Sequence, residues 1–239
     1  MPTADLIQIV DDALASATAR SGPHLVCRPG CTQCCIGVFP IAQQDAARLR
    51  AGLDLLTQTD PARAARIRAR VADSLTRLDP WFPGGRDPGD LATYGILSED
   101  HQAASLFESG SPTSGLGSLG WEEFANDEPC PVLDPATGTC DLYSSRPILC
   151  RTFGPPMRTE EGNLATCELC YIHATTEEIA ACELDPAIPA LEAASNEAFN
   201  AAHHLHGDGV PNERSSSLGW ETLIAYALRT PNESPIPAT

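Results

Sequence analysis

Lysine is absent from this chain of 239 residues, so its 15 strongly basic residues are all arginines. Without lysine the protein has neither the lysine of a phosphate-binding loop nor the amine that forms a Schiff base. Its 32 acidic residues give a net charge of −17 at pH 7. Nucleic acids and anionic membranes are themselves negatively charged, so such a surface repels them. We therefore expect neither nucleic acid nor a membrane among the partners.

Long apolar runs are also missing. No stretch of the sequence approaches the roughly 18 consecutive apolar residues that a membrane span requires. In residues 1–20, MPTADLIQIVDDALASATAR, the acidic residues Asp5, Asp11 and Asp12 interrupt the apolar stretch, which is not typical of a signal peptide. We therefore expect a cytoplasmic protein. In that compartment clustered cysteines bind metal or do redox work more often than they form disulfides.

Helical periodicity dominates the first third of the sequence. Apolar residues recur there at intervals of three and four along three segments, which predicts three amphipathic helices. These residues are Leu6, Val10 and Leu14; Ala46, Leu49, Leu53 and Leu56; and Ile67, Val71, Leu75 and Leu78. Asp60–Pro61 is a typical beginning and Asp79–Pro80 a typical end for the third helix. Off its apolar stripe that helix carries four arginines, for which we expect a solvated face, with a partner-binding face as the alternative. They are Arg63, Arg66, Arg70 and Arg77.

The middle of the chain has turn-forming composition. Residues Trp81 to Glu128 are rich in glycine, proline and serine, which predicts a long irregular connection with one short helix near Asp100 to Phe107. The sequence GLGSLG at 115–120 has the spacing of a nucleotide-binding loop, but no apolar strand precedes it, so we interpret it as a plain loop. The segment CPVLDPATGTCDLY at 130–143 predicts a small β-hairpin.

Three more helices are predicted between residues 174 and 230. Thr175 and Glu178 form a capping box for the first of them. The second is predicted from apolar residues at helical spacing, and the third spans Leu218 to Leu228. The apolar face of the second consists of Leu191, Ala194, Ala198, Ala202 and Leu205. We predict a mainly α fold with a small β-hairpin, in one domain over residues 1–230, followed by a disordered tail over 231–239.

The ten cysteines occur in three groups along the chain: Cys27, Cys31, Cys34 and Cys35; Cys130, Cys140 and Cys150; and Cys167, Cys170 and Cys182. Thiolates are soft ligands, so zinc or an iron–sulfur cluster is the expected guest, and each needs about four sulfurs per centre. The neighbours Cys34 and Cys35 point in different directions, so one of them can serve a second centre. The cysteines at 130, 140 and 150 are the obvious further donors. We therefore expect cysteine-rich loops to converge on a metal centre.

These motifs resemble a known family. The run CRPGCTQCC, followed by CPVLDPATGTCDLYSSRPILCRTFG and by LATCELC, resembles the YkgJ family of cysteine-cluster proteins, described as a zinc- or iron-chelating domain. The resemblance spans residues 24–170 and extends to the cysteine-rich part of flagellin lysine N-methylases. It implies that the metal ligands are Cys27, Cys31, Cys34, Cys35, Cys130, Cys140, Cys150 and Cys167. Cys170 and Cys182 have no clear counterpart in that family.

Three functions follow as alternatives. The first is a metal-binding protein holding an iron–sulfur cluster, of the 4Fe–4S type, or zinc, for redox or protein-modification chemistry. The second is a structural zinc protein that acts as an interaction module. The third, from the resemblance alone, is a methyltransferase-like enzyme. The spacing C-x3-C-x2-C at Cys27, Cys31 and Cys34 also occurs in radical S-adenosylmethionine enzymes, but the strand–helix units of those enzymes are missing.

Several other residues have two interpretations. Arg151, directly after Cys150, can donate hydrogen bonds to bound sulfur, whereas Arg146 can pair with an acidic residue. Cys167 and Cys170 form a C-x2-C pair that His173 could extend into a zinc half-site. Cys182 is best explained as a small buried apolar residue on a helix. The histidines at 203, 204 and 206 are expected at a solvated helix end, with a metal site as the alternative.

Overall fold

The structure is a computed structural model that describes residues 3–78, 125–159, 162–203 and 221–229. The seven α-helices in these ranges are α1 (Thr3–Ser21), α2 (Gln43–Thr59), α3 (Pro61–Leu78), α4 (Ile148–Thr152), α5 (Thr176–Ala181), α6 (Ile188–Ala202) and α7 (Ile224–Ala227). Six strands of two residues each are β1 (Ile41–Ala42), β2 (Leu133–Asp134), β3 (Thr139–Cys140), β4 (Met157–Arg158), β5 (Leu164–Ala165) and β6 (Glu221–Thr222). They pair antiparallel as β1–β6, β2–β3 and β4–β5. The predicted class, mainly helical with a small hairpin, is confirmed, and β4–β5 is a second hairpin that was not predicted.

Some predictions concern residues outside these ranges. They include most of the irregular connection over 81–128, with the short helix near 100–107 and the sequence GLGSLG, as well as Leu205, His204, His206 and the tail over 231–239.

The largest apolar core lies between α2, α3 and the C-terminal segment. All four stripe residues predicted on α3 are buried, as are three of the four on α2. Residues 223–228 pack against the same core together with Val132 and Leu142, which flank the β2–β3 hairpin. Each fully buried leucine or valine side chain stabilises the fold by about 1.5–3 kcal/mol. The core therefore fixes α2 and α3 as a scaffold for the hairpin.

A second core joins α1 to α4 and α6. Leu6 and Val10 of the predicted first stripe are fully buried against Ile148 and Ile188. Leu14 is only half-buried. Within the described residues, no helix combines the length and hydropathy that crossing a bilayer demands.

The arginine face of α3 is only in part the solvated surface that we predicted, since Arg66 is exposed but the other three arginines form ion pairs. Arg63 and Arg70 both donate to the buried carboxylate of Asp141 at 2.5 Å. Arg77 donates twice to the buried carboxylate of Glu128, at 2.6 and 2.8 Å. These pairs were not predicted because the carboxylates follow 51 to 78 residues later in the chain, beyond the reach of any local pattern. The arginines attach the segment that bears Cys130 and Cys140 to α3.

The buried face of α6 also differs from the prediction. The three predicted alanines are exposed, whereas Ser195, Asn196 and Asn200 are buried. Ser195 Oγ donates to Gln44 Oε1 at 2.9 Å. The helix therefore packs its polar side on the polar first turn of α2. The spacing of apolar residues cannot predict a buried face made of polar side chains. The predicted capping box of Thr175 and Glu178 is present at the start of α5.

Within its described part, the predicted helix over Leu218–Leu228 is confirmed only over Ile224–Ala227. Glu221 and Thr222 form β6, and α7 has only four residues. The partner strand is β1, with Ile41 opposite Thr222 and Ala42 opposite Glu221. This pairing with a distant strand overrides the local helical period.

Candidate metal centre

The first cysteine run folds as two successive tight turns. The N–H of Cys31 donates to Arg28 O at 2.9 Å, around Gly30, whose φ of +91° favours glycine. The N–H of Cys35 donates to Thr32 O at 2.8 Å, and Gln33–Cys35 form a 3-10 turn. The run therefore separates Cys27 and Cys31 at one end from Cys34 and Cys35 at the other.

The β2–β3 hairpin lies against both ends of this run. Cys130 N–H donates to Cys35 O at 2.8 Å, and Ile36 pairs with Pro129 in an isolated bridge. At the hairpin turn, a Cβ added to Gly138 would lie 3.4 Å from Gly30 Cα. The hairpin and the CRPGC loop therefore approach each other backbone to backbone.

Five cysteines form what we call the hairpin cysteine group: Cys34, Cys35, Cys130, Cys140 and Cys150. The pKa of Cys130 is raised to about 12, mainly by burial and in smaller part by the nearby Cys140. The pKa of Cys150 is also raised, first by burial and then by Cys130, Cys140 and Cys34. Cys130 and Cys140 pack against the largest core. Cys130, Cys140 and Cys34 are thus near enough to Cys150 to disfavour its ionisation.

Cys150 is positioned by the start of α4. The N–H of Ile148, the first residue of α4, donates to the buried carboxylate of Asp45 at 3.1 Å. Burial raises the pKa of Asp45, while the adjacent Arg48 opposes that shift. This contact ties α4, and with it Cys150, to the beginning of α2.

The pKa values of the adjacent Cys34 and Cys35 shift in opposite directions. A hydrogen bond from the Cys35 thiol lowers the pKa of Cys34 to about 6, with further help from the backbone and from Arg146. The pKa of Cys35 rises correspondingly, mainly because of the same hydrogen bond. Cys34 is therefore the thiol of this pair that ionises first, which is the form that binds metal.

The two arginines of the motif have distinct surroundings. Arg146 lies beside the hairpin cysteine group, and its guanidinium carbon is 3.8 Å from the centroid of the Tyr143 ring. Arg146 Nη2 also lies 3.9 Å from Asp11 Oδ1, which is the predicted pairing with an acidic residue. Arg151 donates to Asp11 at 2.7 Å and to the carbonyls of Arg146 and Ser144. These contacts anchor α4 to α1, and donation from Arg151 to bound sulfur stays a prediction.

Four further cysteines form what we call the loop cysteine group: Cys27, Cys31, Cys167 and Cys170. The sulfurs of Cys27 and Cys170 are 3.9 Å apart. The pKa of Cys27 is raised to about 12, first by burial and then by Cys170, Cys167 and Cys31. The spacing C-x2-C was a usable signal for Cys170, but nothing in the sequence indicated that it meets Cys27.

The remaining chemistry-bearing residues lie elsewhere. Cys182 is buried beside Tyr171, as predicted for a small apolar residue. His203 is exposed and its ring lies 4.2 Å from that of Phe199. Asp141 and Glu128, which hold the hairpin on α3, were missed because their partners are distant in sequence.

All ten cysteines are free thiols, and nine belong to one of the two groups. Across the four described ranges, no three His, Cys, Asp or Glu side chains are already positioned to bind one ion together. Bound metal would therefore have to draw the sulfurs inward. The donor chemistry fits, because thiolate sulfur is the ligand that both zinc and iron–sulfur clusters take.

Comparison with known proteins gives one result. A search of the curated proteins and a search of the solved structures each found no match. A family model, CxxCxxCC, described as "Putative zinc- or iron-chelating domain", matches residues 26–201. That match covers most of the chain and includes all nine grouped cysteines. The chain therefore belongs to this CxxCxxCC family.

Proposed function

We propose that the hairpin cysteine group holds an iron–sulfur cluster of the 4Fe–4S type, with zinc as the competing guest. The observation that carries this proposal is a full set of thiol ligands beside a cation. Five thiols lie together there, and either a 4Fe–4S cluster or a zinc ion takes four of them. The nearby Arg146 favours the cluster, which is the more negatively charged guest. Of the eight ligands predicted from the sequence, Cys34, Cys35, Cys130, Cys140 and Cys150 belong to this site.

The surroundings of the group support a charged guest. Thiolates around a cluster leave net negative charge, and neighbouring cations and hydrogen bonds set its reduction potential. Arg146 is the cation beside the group, because its charge favours the ionised forms of Cys34 and Cys140. The packing of Cys130 and Cys140 against the core would limit access of water.

A bound cluster would supply one-electron chemistry. We therefore propose a cytoplasmic role in electron transfer, redox sensing or a protein-modifying reaction. The chain's own residues would hold the cluster through sulfur, orient the hairpin and balance charge through Arg146. The protein partner or substrate would meet a strongly acidic surface, with a net charge of −17 on the chain.

A structural zinc site is the second candidate, and one observation favours it. The hairpin cysteine group joins segments that are each anchored to a different helix. Asp141, next to Cys140, binds Arg70 of α3, and Ile148, two residues before Cys150, binds Asp45 of α2. A metal at their junction would lock the segments together, as structural zinc does. In that case the metal would shape an interaction surface and carry no electrons.

Purification without oxygen separates the two candidates. The cluster proposal predicts brown protein with iron and acid-labile sulfide, and Cys150→Ser should lower both. A matched control is Cys182→Ser, which removes a buried thiol outside the group. Colourless protein with stoichiometric zinc and no iron, even after anaerobic reconstitution, would overturn the cluster and leave the structural function.

A further inference from the structure

We propose that the loop cysteine group, Cys27, Cys31, Cys167 and Cys170, is a second and separate metal site that takes a single zinc ion. The proposal deepens the proposed function, because it divides the cysteines of one chain between two sites. It brings in Cys170, which the sequence resemblance left unassigned. It also gives Cys27, Cys31 and Cys167 a role apart from the hairpin cysteine group.

The sulfur geometry favours one zinc ion. With a zinc–sulfur bond of about 2.3 Å, the edge of a regular tetrahedron of sulfurs is about 3.8 Å long. The sulfurs of Cys27 and Cys170 lie 3.9 Å apart, so the pair already spans one such edge. In a 4Fe–4S cluster each thiolate binds a different iron, so the ligand sulfurs lie farther apart.

The spacing of the four cysteines suits a closed zinc site. Cys27 and Cys31 form a C-x3-C pair, and Cys167 and Cys170 form a C-x2-C pair. Structural zinc sites commonly use two such pairs with two to four intervening residues. Each pair here brackets a tight turn, closed by Cys31 N–H to Arg28 O and by Cys170 N–H to Cys167 O, both at 2.9 Å. Four sulfurs on two turns complete a tetrahedral ligand set.

The two turns are held together by contacts that need no metal. Tyr171, directly after Cys170, donates its N–H to His24 O at 2.9 Å, and the two rings stack. The Tyr171 hydroxyl bonds to the buried Ser21, and Gln33 bonds to Glu168 between the cysteines of the second pair. The main chain of Tyr171 has φ of +58°, a strained conformation that only a well-determined environment maintains. The fold therefore holds the two turns side by side without an ion.

The loop cysteine group packs apart from the hairpin cysteine group. Cys167 and Cys170 contact a small cluster around Tyr171 and Cys182, whereas Cys130 and Cys140 contact the largest core. Binding one zinc ion requires only that Cys31 and Cys167 close onto the existing pair of Cys27 and Cys170.

The test counts metals in the full chain purified without oxygen. Cys170→Ser should lose one equivalent of zinc and retain the iron of the hairpin cysteine group. Cys182→Ser is the matched control, because it removes a buried thiol from the same small cluster and should retain both metals. A Cys170→Ser variant that binds as much zinc as the wild type would overturn the proposal. Loss of zinc in Cys170→Ser from a protein that never binds iron would refute the proposed cluster and leave the zinc site standing.

A second measurement uses the unmodified protein, so it does not depend on the folding of a variant. Cys27 is exposed and Cys31 and Cys167 are half-buried, so iodoacetamide can reach all three in the metal-free protein. One equivalent of zinc should slow alkylation of these three at least tenfold. With cobalt in place of zinc, the protein should show the visible bands of tetrahedral thiolate coordination. Equal alkylation rates with and without zinc would overturn the proposal.

Discussion

Asp141 is the residue whose replacement should most clearly loosen the hairpin. Its side chain is 2% exposed and accepts a hydrogen bond from Arg63 and another from Arg70. Replacement by asparagine keeps the shape but removes the negative charge that both guanidinium groups face. Asp141 directly follows Cys140, and the N–H of Asp141 donates to Val132 O at 2.8 Å. The replacement therefore acts on the hairpin itself.

The expected cost follows from burial and from the number of bonds. Hydrogen bonds to charged groups contribute about 1.5–3 kcal/mol each, and breaking a fully buried ion pair costs about 3–5 kcal/mol. The arginine side chains are 36% and 21% exposed, so water compensates for part of the loss. We therefore expect Asp141→Asn to lower the free energy of unfolding by about 2–3 kcal/mol.

Urea denaturation of the metal-free protein measures this cost, because bound metal would add its own stability to the folded state. With a denaturant slope of about 2 kcal/mol/M, the unfolding midpoint should fall by about 1–1.5 M. Asp134→Asn is the control on the same hairpin. Its exposed carboxylate bonds Ala136 N–H and Thr137 Oγ at 3.0 Å, and asparagine can keep such turn bonds. If both variants unfolded at the same urea concentration, the ion pairs would contribute nothing and the argument would fail.

Other changes have equally definite expected outcomes. Cys140→Ser should lower the iron content severalfold, whereas Cys182→Ser should leave it unchanged, as measured per chain by elemental analysis. Gly154→Ala should destabilise the fold and weaken zinc binding, because the glycine has φ of +117° and the new Cβ would lie 3.1 Å from Cys27 Sγ. Gly162→Ala is the control, because Gly162 has φ of +83° with open space around it. That variant should lose about 1–2 kcal/mol of stability to backbone strain and bind zinc normally. Chelation of all metal should leave much of the far-ultraviolet helical signal, since the cores of α1–α3 are apolar.

Local patterns in the sequence predicted local structure well. The stripe from Ile67 to Leu78 and the capping box of Thr175 depend on neighbours within a few turns, so spacing alone indicates them. The β2–β3 hairpin also follows from its turn residues. The helical class and the family could therefore be predicted from the sequence.

Contacts between distant residues could not be predicted in this way. Arg63 looked like a surface residue because its partner, Asp141, lies 78 residues away. The strand pairing of β1 with β6 and the polar face of α6 depend likewise on distant segments. At the candidate site, spacing showed which cysteines are neighbours in the chain but not which sulfurs meet, so the approach of Cys27 to Cys170 emerged only from the fold.

The nine residues from Cys27 to Cys35 serve both cysteine groups, and this arrangement has a thermodynamic consequence. Cys31 and Cys34 are three residues apart, so their Cα atoms are separated by at most about 10 Å. An ion that fixes one end of so short a segment also restricts the other end. The first ion to bind therefore bears the entropy cost of ordering the segment, and the second ion binds a segment that is already ordered. If both sites bind metal, each guest should therefore raise the affinity of the chain for the other, and linkage requires the two factors to be equal. Residues 27–35 would then couple the two sites, so that metal bound at one site changes the metal affinity of the other.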